Sequence, residues 1–282
     1  MLQKTLTLSN SVKIPVIGFG TYQMPPQTCS VAVSAALSQG YRHIDTAIFY
    51  RTHKVLGSCI ESYPRSSLFI SSKVPPNLQG YDAAKRAVLD SLKDLNTPYL
   101  DLMLVHWPGV QGLGTSDLKQ VEMRHGTWAA LEELYVEGKI KAIGTSNFLI
   151  LHLEKLLKVA SVKPTVNQVE FHPWGFDQKL HEFCHKEKII IEAYSPLGRA
   201  QNDLWSNPEL QRLADKHDAT KAQILLRWNT QKGNVVLPKS ITPERIKSNT
   251  ELNFELSTED MDVLDNFNVG KKTCWDPSTI LV

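Results

Sequence analysis

Residues 68–106 read LFISSKVPPNLQGYDAAKRAVLDSLKDLNTPYLDLMLVH. The stretch contains two short apolar runs, Leu68–Val74 and Leu100–His106, separated by the amphipathic segment Ala83–Leu95. Short apolar runs between turn residues are typical of buried strands, and parallel strands need a crossover helix between them. The stretch therefore predicts a strand–helix–strand unit of a parallel sheet, with the helix starting at Asp82.

The same alternation of strand and helix continues along the whole chain. Eight apolar or β-branched runs predict strands, namely Ile14–Phe19, Tyr41–Ala47, Leu68–Val74, Leu100–His106, Ile140–Gly144, Thr165–Phe171, Ile189–Tyr194 and Val235–Pro238. The amphipathic segments between them predict helices, among them Ala83–Leu95, Thr127–Glu137, Leu149–Lys158 and Leu210–His217. Thr242-Pro243-Glu244 is typical of a further helix start, with proline at the first helical position.

The length of the chain allows one domain or two, but its pattern favours one. The 282 residues hold eight strand–helix units without a composition break or a long linker. We therefore predict an α/β fold, a single-domain (β/α)8 TIM barrel over residues 1–282. A doubly wound sheet is the alternative, weakened because Gly18-Phe19-Gly20 is followed by no third glycine of the dinucleotide fingerprint.

Charge and composition exclude several classes of partner. Thirty-one basic residues against 29 acidic ones leave a formal net charge of +2, too small to favour nucleic acid or an anionic membrane. The amino terminus does not resemble a secretory signal, and no apolar run approaches the roughly 20 residues of a membrane span. We expect a cytoplasmic protein with reduced thiols, since its cysteines lie far apart at Cys29, Cys59, Cys184 and Cys274.

Polar residues near the ends of the second, third and fourth predicted strands suggest a catalytic site. Asp45, Lys73 and His106 end these strands, and Tyr50 follows five residues after Asp45. Neighbouring strands lie about 4.8 Å apart, and active sites of α/β barrels gather at the carboxyl ends of the strands. We therefore expect these four side chains to converge on one pocket.

The four residue types suit protonation of an oxygen while a nucleophile such as hydride attacks the adjacent carbon. A tyrosine phenol titrates near ~10, so proton transfer at neutral pH calls for a cation that stabilises the phenolate. Lys73 supplies that cation, and Asp45 offsets the cost of burying it. His106 orients a substrate carbonyl or shares in the proton transfer.

The chain resembles the aldo-keto reductase superfamily, nicotinamide-dependent oxidoreductases built on a (β/α)8 barrel, over nearly its whole length. The matching segments occur in the family's order: Gly18-Phe19-Gly20-Thr21, Gly40–Ala47 with Tyr50, Lys73, Leu104–Gly109, Gly144-Thr145-Ser146-Asn147-Phe148, Asn167–Pro173, Tyr194-Ser195-Pro196-Leu197-Gly198 and Pro238-Lys239-Ser240. The resemblance implies an NADPH-dependent reductase of aldehydes or ketones, of the alcohol dehydrogenase (NADP+) type.

The resemblance also implies a role for each matching residue. Tyr50 would be the general acid, with Lys73 and Asp45 lowering its pKa and His106 orienting the carbonyl. Tyr194 would stack on the nicotinamide ring. The other implied cofactor contacts are Ser146, Asn147 and Gln168 at the carboxamide, Thr21 and Asp45 near the ribose, and Ser195 and Leu197 at the diphosphate.

The segment after the last predicted strand matches the far end of the cofactor. Lys239, Ser240, Arg245 and the start of the following helix form a local anion site, which suits the 2′-phosphate of NADPH and makes NADPH the expected cofactor over NADH. Asn249, at the end of this segment, is a further expected cofactor contact. Many NADPH-using relatives have Glu at the position of Ser248, where it lies near the adenine. The resemblance therefore leaves the adenine contact of this chain open.

The substrate pocket is less defined by the sequence. Tyr22, Phe49 and Trp107 follow strands one, two and four, and with His106 and Trp205 they would wall an apolar pocket for a small-molecule carbonyl. The tail, about residues 268–282, would border its mouth. The segment Arg51-Thr52-His53-Lys54 replaces the Asn-Glu that commonly follows the family's tyrosine, so the charge of this loop differs.

Two further classes of function are compatible with parts of the sequence. His181-Glu182-Phe183-Cys184-His185 matches the H-E-x-x-H zinc-protease motif, but on an outer helix Leu180, Phe183 and Cys184 form the buried stripe and turn both histidines to solvent, so we expect no metal. The chain could also be a redox-sensing or structural module that binds cofactor with little turnover. We expect a monomer from the resemblance.

Overall fold

Two antiparallel strands near the amino terminus, β1 (Thr5–Thr7) and β2 (Lys13–Pro15), form a hairpin in the computed structural model, which describes residues 1–200 and 202–282. Ile14 and Leu8 of this hairpin region are buried against side chains of the parallel strands that follow. These side chains are those of Phe69, Leu102, Leu104, Ala142, Val166 and Val235. The hairpin region therefore packs onto the strands through its own apolar residues.

Eight parallel strands form the centre of the fold, in the spatial order of the sequence. They are β3 (Phe19–Gly20), β4 (His43–Asp45), β5 (Phe69–Val74), β6 (Leu102–Val105), β7 (Ile143–Ser146), β8 (Val166–Glu170), β9 (Ile190–Tyr194) and β10 (Val235–Val236). The first and last strands also meet. Gly18 N–H donates to the Val236 carbonyl at 2.8 Å, and Val236 N–H donates to the Val16 carbonyl at 2.9 Å. These bonds close the sheet, and the predicted single (β/α)8 barrel is confirmed.

The first predicted strand, Ile14–Phe19, is wrong as one element. Its first half belongs to β2, where Ile14 pairs with Leu6, and its second half belongs to the barrel. Gly18 explains the close approach at the junction, because a Cβ there would lie 2.6 Å from the Leu237 side chain and 2.7 Å from the His43 ring. A single apolar run thus serves two sheets.

Helices cover the outside of the barrel. They are α1 (Pro26–Ser38), α2 (His53–Ile60), α3 (Tyr81–Asp94), α4 (Lys119–Val136), α5 (Ile150–Val159), α6 (Gln178–Lys186), α7 (Asn202–Trp205), α8 (Pro208–Lys216), α9 (Lys221–Gln231), α10 (Pro243–Ser248) and α11 (Thr258–Asp265). Short 3₁₀ turns occupy Ile48–Tyr50, Arg65–Ser67, Pro76–Leu78 and Gly198–Ala200. In the described ranges 1–200 and 202–282, no helix has the length and apolarity that a membrane crossing requires.

Two predicted helix starts are wrong. Helix α3 begins at Tyr81 after Gly80, whose φ of 100° suits glycine, and Asp82 lies within its first turn rather than capping it. Helix α4 begins at Lys119, eight residues before the predicted Thr127, because buried polar side chains replace apolar ones in its first turns. The predicted start at Thr242, with Pro243 as the first helical residue, is confirmed.

Candidate active site

A cleft of about 1020 Å³ lies at the carboxyl ends of the barrel strands. Ser146 and Tyr194 are the last residues of β7 and β9, and Asp45 ends β4. The cleft extends beyond β10 to helix α10, which contributes Arg245 and Ser248. The parallel strands therefore present their terminal side chains to one elongated space.

Beneath this cleft, Lys73 and Asp45 form a buried ion pair. Lys73 Nζ donates to Asp45 Oδ1 at 2.8 Å and to Oδ2 at 2.7 Å, and also to the Thr46 carbonyl at 2.8 Å. The Lys73 side chain is 1% exposed and that of Asp45 6%. Asp45 Oδ1 also accepts the Ser71 hydroxyl at 2.9 Å. The pair is thus fully hydrogen-bonded, as burial of two charges requires.

Tyr50 and His106 face each other beside the ion pair. Their ring centroids lie 5.9 Å apart at 76°, and Lys73 Nζ lies 5.1 Å from the Tyr50 ring centroid. Burial, and then the charge of Lys73, lowers the pKa of His106 to about 3. His106 is therefore neutral at physiological pH. Its Nδ1 is buried without a hydrogen-bond partner among the described residues, and its side chain lines the cleft.

The pKa of Tyr50 departs from the expectation that Lys73 and Asp45 lower it. Burial raises the pKa well above its ordinary value, and the nearby charge of Asp45 raises it further. Desolvation of the phenol is the first cause, and the ammonium of Lys73, 5.1 Å from the ring centroid and bonded to both Asp45 oxygens, does not outweigh it. Tyr50 therefore holds its proton throughout the neutral pH range.

A row of amide and hydroxyl groups follows the tyrosine along the cleft. Tyr194 OH donates to Asn147 Oδ1 at 2.7 Å, and Asn147 Nδ2 donates to the His106 carbonyl at 2.9 Å. Asn147 adopts a left-handed φ of 64°, which asparagine tolerates better than most residues. Ser146 Oγ donates to the Gln168 carbonyl at 2.9 Å. These hydrogen bonds fix the positions of the side chains in the row.

The far end of the cleft carries positive charge. Lys239 and Arg245 are exposed and line the cleft, and no ion pair engages either of them within residues 1–200 and 202–282. Partial desolvation, and then the charge of Arg199, lowers the pKa of Lys239. Lys239, Arg245 and Arg199 therefore give this end of the cleft a positive charge, with no carboxylate paired to them in the part of the chain that the structure describes.

Most residues expected in the site line this one cleft. They are Asp45, Tyr50, His106, Ser146, Asn147, Gln168, Tyr194, Ser195, Leu197, Lys239, Ser240, Arg245, Asn249, Tyr22 and Trp205. Thr21 is fully buried instead, and its hydroxyl donates to the Asp45 carbonyl at 2.8 Å. Phe49 is 60% exposed, because the 3₁₀ turn that brings Tyr50 to the cleft directs its neighbour outward. Trp107 is not among the described residues that line the cleft, and its backbone carbonyl accepts a hydrogen bond from Gln79 Nε2.

Three polar residues at or near the cleft were not predicted from the sequence. Arg199 lines it directly after the matching segment Tyr194–Gly198, with a left-handed φ of 52°. Glu192 lies fully buried in β9, and Glu170 lies buried at the end of β8. The sequence does hold one signal for Glu192, because it is a single glutamate within the apolar run Ile189–Tyr194, and a charged residue in a buried strand indicates a specific partner.

The carboxyl-terminal tail reaches the cleft through Cys274 and Trp275. Glu170 holds it, accepting the backbone N–H of Thr273 at 2.7 Å and of Cys274 at 3.1 Å. Gly175 lies against the same segment, and a Cβ there would come within 2.1 Å of the Lys271 carbonyl. The loop after β8 thus fixes the tail beside the cleft.

The zinc-protease motif is an ordinary part of helix α6. His185 is exposed as expected, but His181 is partly buried, with its ring 5.4 Å from that of Phe171 and its Nε2 3.1 Å from Asn234 Oδ1. The expectation that both histidines face solvent was therefore wrong for His181. Within the described part of the chain, no group of three or more His, Cys, Asp or Glu side chains is arranged to hold a metal.

Together, the fold and the site define an α/β-barrel enzyme with an acid–base cluster at the carboxyl ends of its strands. A model of the Aldo/keto reductase family matches residues 16–269. Glyoxal reductase from Bacillus subtilis (strain 168) is 42% identical over 284 aligned residues, covering 99% of this chain and 98% of that protein. Glycerol 2-dehydrogenase (NADP(+)) from Hypocrea jecorina is 39% identical, covering 97% of this chain and 94% of that protein.

A solved structure agrees with these relatives. An aldo-keto reductase enzyme from a Medee basin deep-sea metagenome library matches with a TM-score of 0.89 and 41% identity, covering 96% of this chain and 97% of that one. The chain belongs to the aldo/keto reductase family, a family of nicotinamide-dependent oxidoreductases. The resemblance inferred from the motifs is confirmed.

Proposed function

We propose that the protein uses NADPH to reduce small aldehydes or ketones to alcohols, with Tyr50 as the general acid. The observation that carries this proposal is the convergence of Tyr50, His106 and the Lys73–Asp45 pair at one end of a cleft whose other end is cationic. The names of two relatives, glyoxal reductase and glycerol 2-dehydrogenase (NADP(+)), support a small carbonyl substrate and an NADP cofactor.

The residues along the cleft fit a nicotinamide dinucleotide phosphate. Ser146, Asn147 and Gln168 supply amide and hydroxyl groups near Tyr50, which suit a carboxamide. Lys239 and Arg245 suit a phosphate at the opposite end. The cofactor would supply the hydride. Tyr194, whose hydroxyl donates to Asn147, lines the same cleft and would stack on a flat ring.

Each catalytic residue has a role that follows from its protonation state. Tyr50 keeps its proton at neutral pH and donates it to the carbonyl oxygen as the alcohol forms. His106 is neutral, so it orients the carbonyl through a hydrogen bond rather than donating a proton as a cation. Lys73, 5.1 Å from the Tyr50 ring centroid, stabilises the phenolate left behind, and Asp45 holds Lys73.

A substrate panel tests the function. We expect the protein to oxidise NADPH when glyoxal, methylglyoxal or an aromatic aldehyde is added, followed as loss of nicotinamide absorbance. Ranking the substrates by kcat/KM would identify the class of carbonyl that the cleft favours. Tight NADPH binding without consumption for any carbonyl would contradict the proposal and favour a cofactor-binding module with little turnover.

Preference for NADPH over NADH depends on the cationic end of the cleft. The double substitution Lys239→Ala and Arg245→Ala should raise the Kd for NADPH by about 10- to 100-fold. This factor corresponds to the free energy that charge-assisted hydrogen bonds contribute to binding. The Kd for NADH should change far less, because NADH lacks the 2′-phosphate. Lys247→Ala is the matched control, an exposed cation on the same helix outside the cleft lining within the described chain. Equal losses for both cofactors would contradict the phosphate assignment.

A further inference from the structure

Glu192 is a carboxyl group fully enclosed by the barrel, and the reaction proposed above does not use it. Its side chain is 0% exposed, and its Cα is the register partner of Gln168 on the neighbouring strand β8. Glu192 Oε2 accepts a hydrogen bond from Gln168 Nε2 at 2.6 Å. Its other oxygen has no hydrogen-bond partner among the described residues, and His43 Nε2 lies 3.5 Å from it. Burying a carboxyl group with one oxygen unpaired costs free energy.

The side-chain amide of Gln168 is held by two carboxyl groups at once. The same Nε2 that donates to Glu192 also donates to Asp45 Oδ1 at 3.0 Å. An amide nitrogen has two hydrogens, and both are therefore engaged inside the barrel. The side-chain oxygen of Gln168 is the polar atom left for the cleft. A carbonyl oxygen accepts hydrogen bonds and donates none.

Asp45 alone would hold this orientation weakly. Its Oδ1 already accepts Lys73 Nζ and the Ser71 hydroxyl in addition to Gln168. The terminal torsion of glutamine is broad, so one shared contact permits rotation of the amide. A second acceptor on the same nitrogen restricts that rotation. Burial, and then the charge of Asp45, raises the pKa of Glu192, yet a protonated carboxyl keeps an acceptor oxygen as well as an ionised one does.

We propose that Glu192 is a positioning residue that, together with Asp45, fixes Gln168 with its oxygen towards the cleft, so that this place selects a ligand amide that donates a hydrogen bond. The inference rests on the proposed function, in which that ligand amide is the carboxamide of the nicotinamide ring. Glu192 thereby contributes to cofactor recognition without touching the cofactor.

A pair of ligands that differ in one group tests this role. NADP+ carries a carboxamide, whereas its 3-acetylpyridine analogue has a methyl group in place of the NH₂ and cannot donate. The wild-type protein should bind the analogue about tenfold more weakly, since it leaves an oriented acceptor unpaired. Kd values come from quenching of tryptophan fluorescence, because Trp205 and Trp275 line the cleft.

Three variants separate positioning from folding. Glu192→Met keeps the side-chain length but removes the acceptor, so the tenfold preference should fall to about twofold. Glu192→Gln keeps an acceptor oxygen and should retain the preference. Glu192→Thr serves as the alternative if Glu192→Met does not fold. Threonine suits a strand and is too short to reach Gln168, so we expect the same fall in preference to about twofold.

The outcomes distinguish the two levels of the proposal. If Glu192→Met or Glu192→Thr still binds NADP+ and keeps the tenfold preference for NADP+ over the acetylpyridine analogue, the role of Glu192 alone is overturned. Loss of the preference in Glu192→Gln to the same extent as in Glu192→Met would also overturn it, because the acceptor would not matter. Failure of the wild-type protein to bind either dinucleotide would overturn the proposed function and this role together.

Discussion

Replacing Tyr50 with Phe should lower kcat for carbonyl reduction by about 10²- to 10⁴-fold, the usual contribution of a positioned general acid. The change removes one hydroxyl and keeps the ring that packs 5.1 Å from Tyr22 and 5.9 Å from His106. The Kd for NADPH should therefore stay within about threefold of the wild-type value. Single-turnover oxidation of NADPH with a saturating aldehyde measures the chemical step, and fluorescence titration measures binding.

Tyr22→Phe is the matched control for this experiment. Tyr22 lines the same cleft and its ring lies against that of Tyr50, so the same loss of one hydroxyl tests whether any cleft phenol suffices. We expect a change of less than about tenfold in kcat for Tyr22→Phe, because one substrate contact is worth less than the acid itself. Comparable losses in the two variants, or full activity in Tyr50→Phe, would remove Tyr50 from the role of acid.

The convergence of the catalytic residues could be predicted because it depends on strand order alone. Asp45, Lys73 and His106 lie within one residue of the ends of consecutive parallel strands, and parallel strands place such ends at one face of a barrel. The barrel itself followed from the repeated alternation of strand and helix. Neither inference needed the register of the strands or the conformation of a loop.

Features that depend on register or loop conformation were missed. The pairing of Gln168 with Glu192 follows from their alignment on β8 and β9, which the apolar run of β9 does not reveal. The direction of Phe49 depends on a 3₁₀ turn of three residues, and the cleft position of Arg199 depends on a left-handed residue. Such local geometry is set by packing around the loop rather than by its composition.

The raised pKa of Tyr50 illustrates the same limit for electrostatics. Residue types alone suggest that a lysine lowers the pKa of a neighbouring tyrosine. Burial decides otherwise here, because desolvation of the phenol is the largest cause of the raised pKa and the charge of Asp45 adds to it, while Lys73 Nζ is bonded to both Asp45 oxygens at 2.7–2.8 Å. The balance of desolvation and charge therefore required the three-dimensional arrangement.

Replacing Lys73 with Met should lower the free energy of unfolding by about 3–5 kcal/mol and abolish measurable reduction, because it leaves the Asp45 carboxylate buried without its cation. Lys73 is 1% exposed and donates three hydrogen bonds of 2.7–2.8 Å, two of them to Asp45. Urea unfolding followed by circular dichroism measures the stability. Lys54→Met is the control, since Lys54 is 81% exposed and lies 3.8 Å from Asp94, and removing such a surface pair should cost less than about 1 kcal/mol.

A second substitution distinguishes the loss of charge balance from the loss of packing. Asp45→Asn combined with Lys73→Met removes both charges and keeps an oxygen that accepts from Ser71 and Gln168. The double variant should regain much of the stability lost in Lys73→Met, because no uncompensated buried charge remains. It should stay inactive, because the ammonium that stabilises the Tyr50 phenolate is absent. Recovery of activity along with stability would show that the pair serves the fold alone, and a Lys73→Met protein as stable as Lys54→Met would contradict the buried pair.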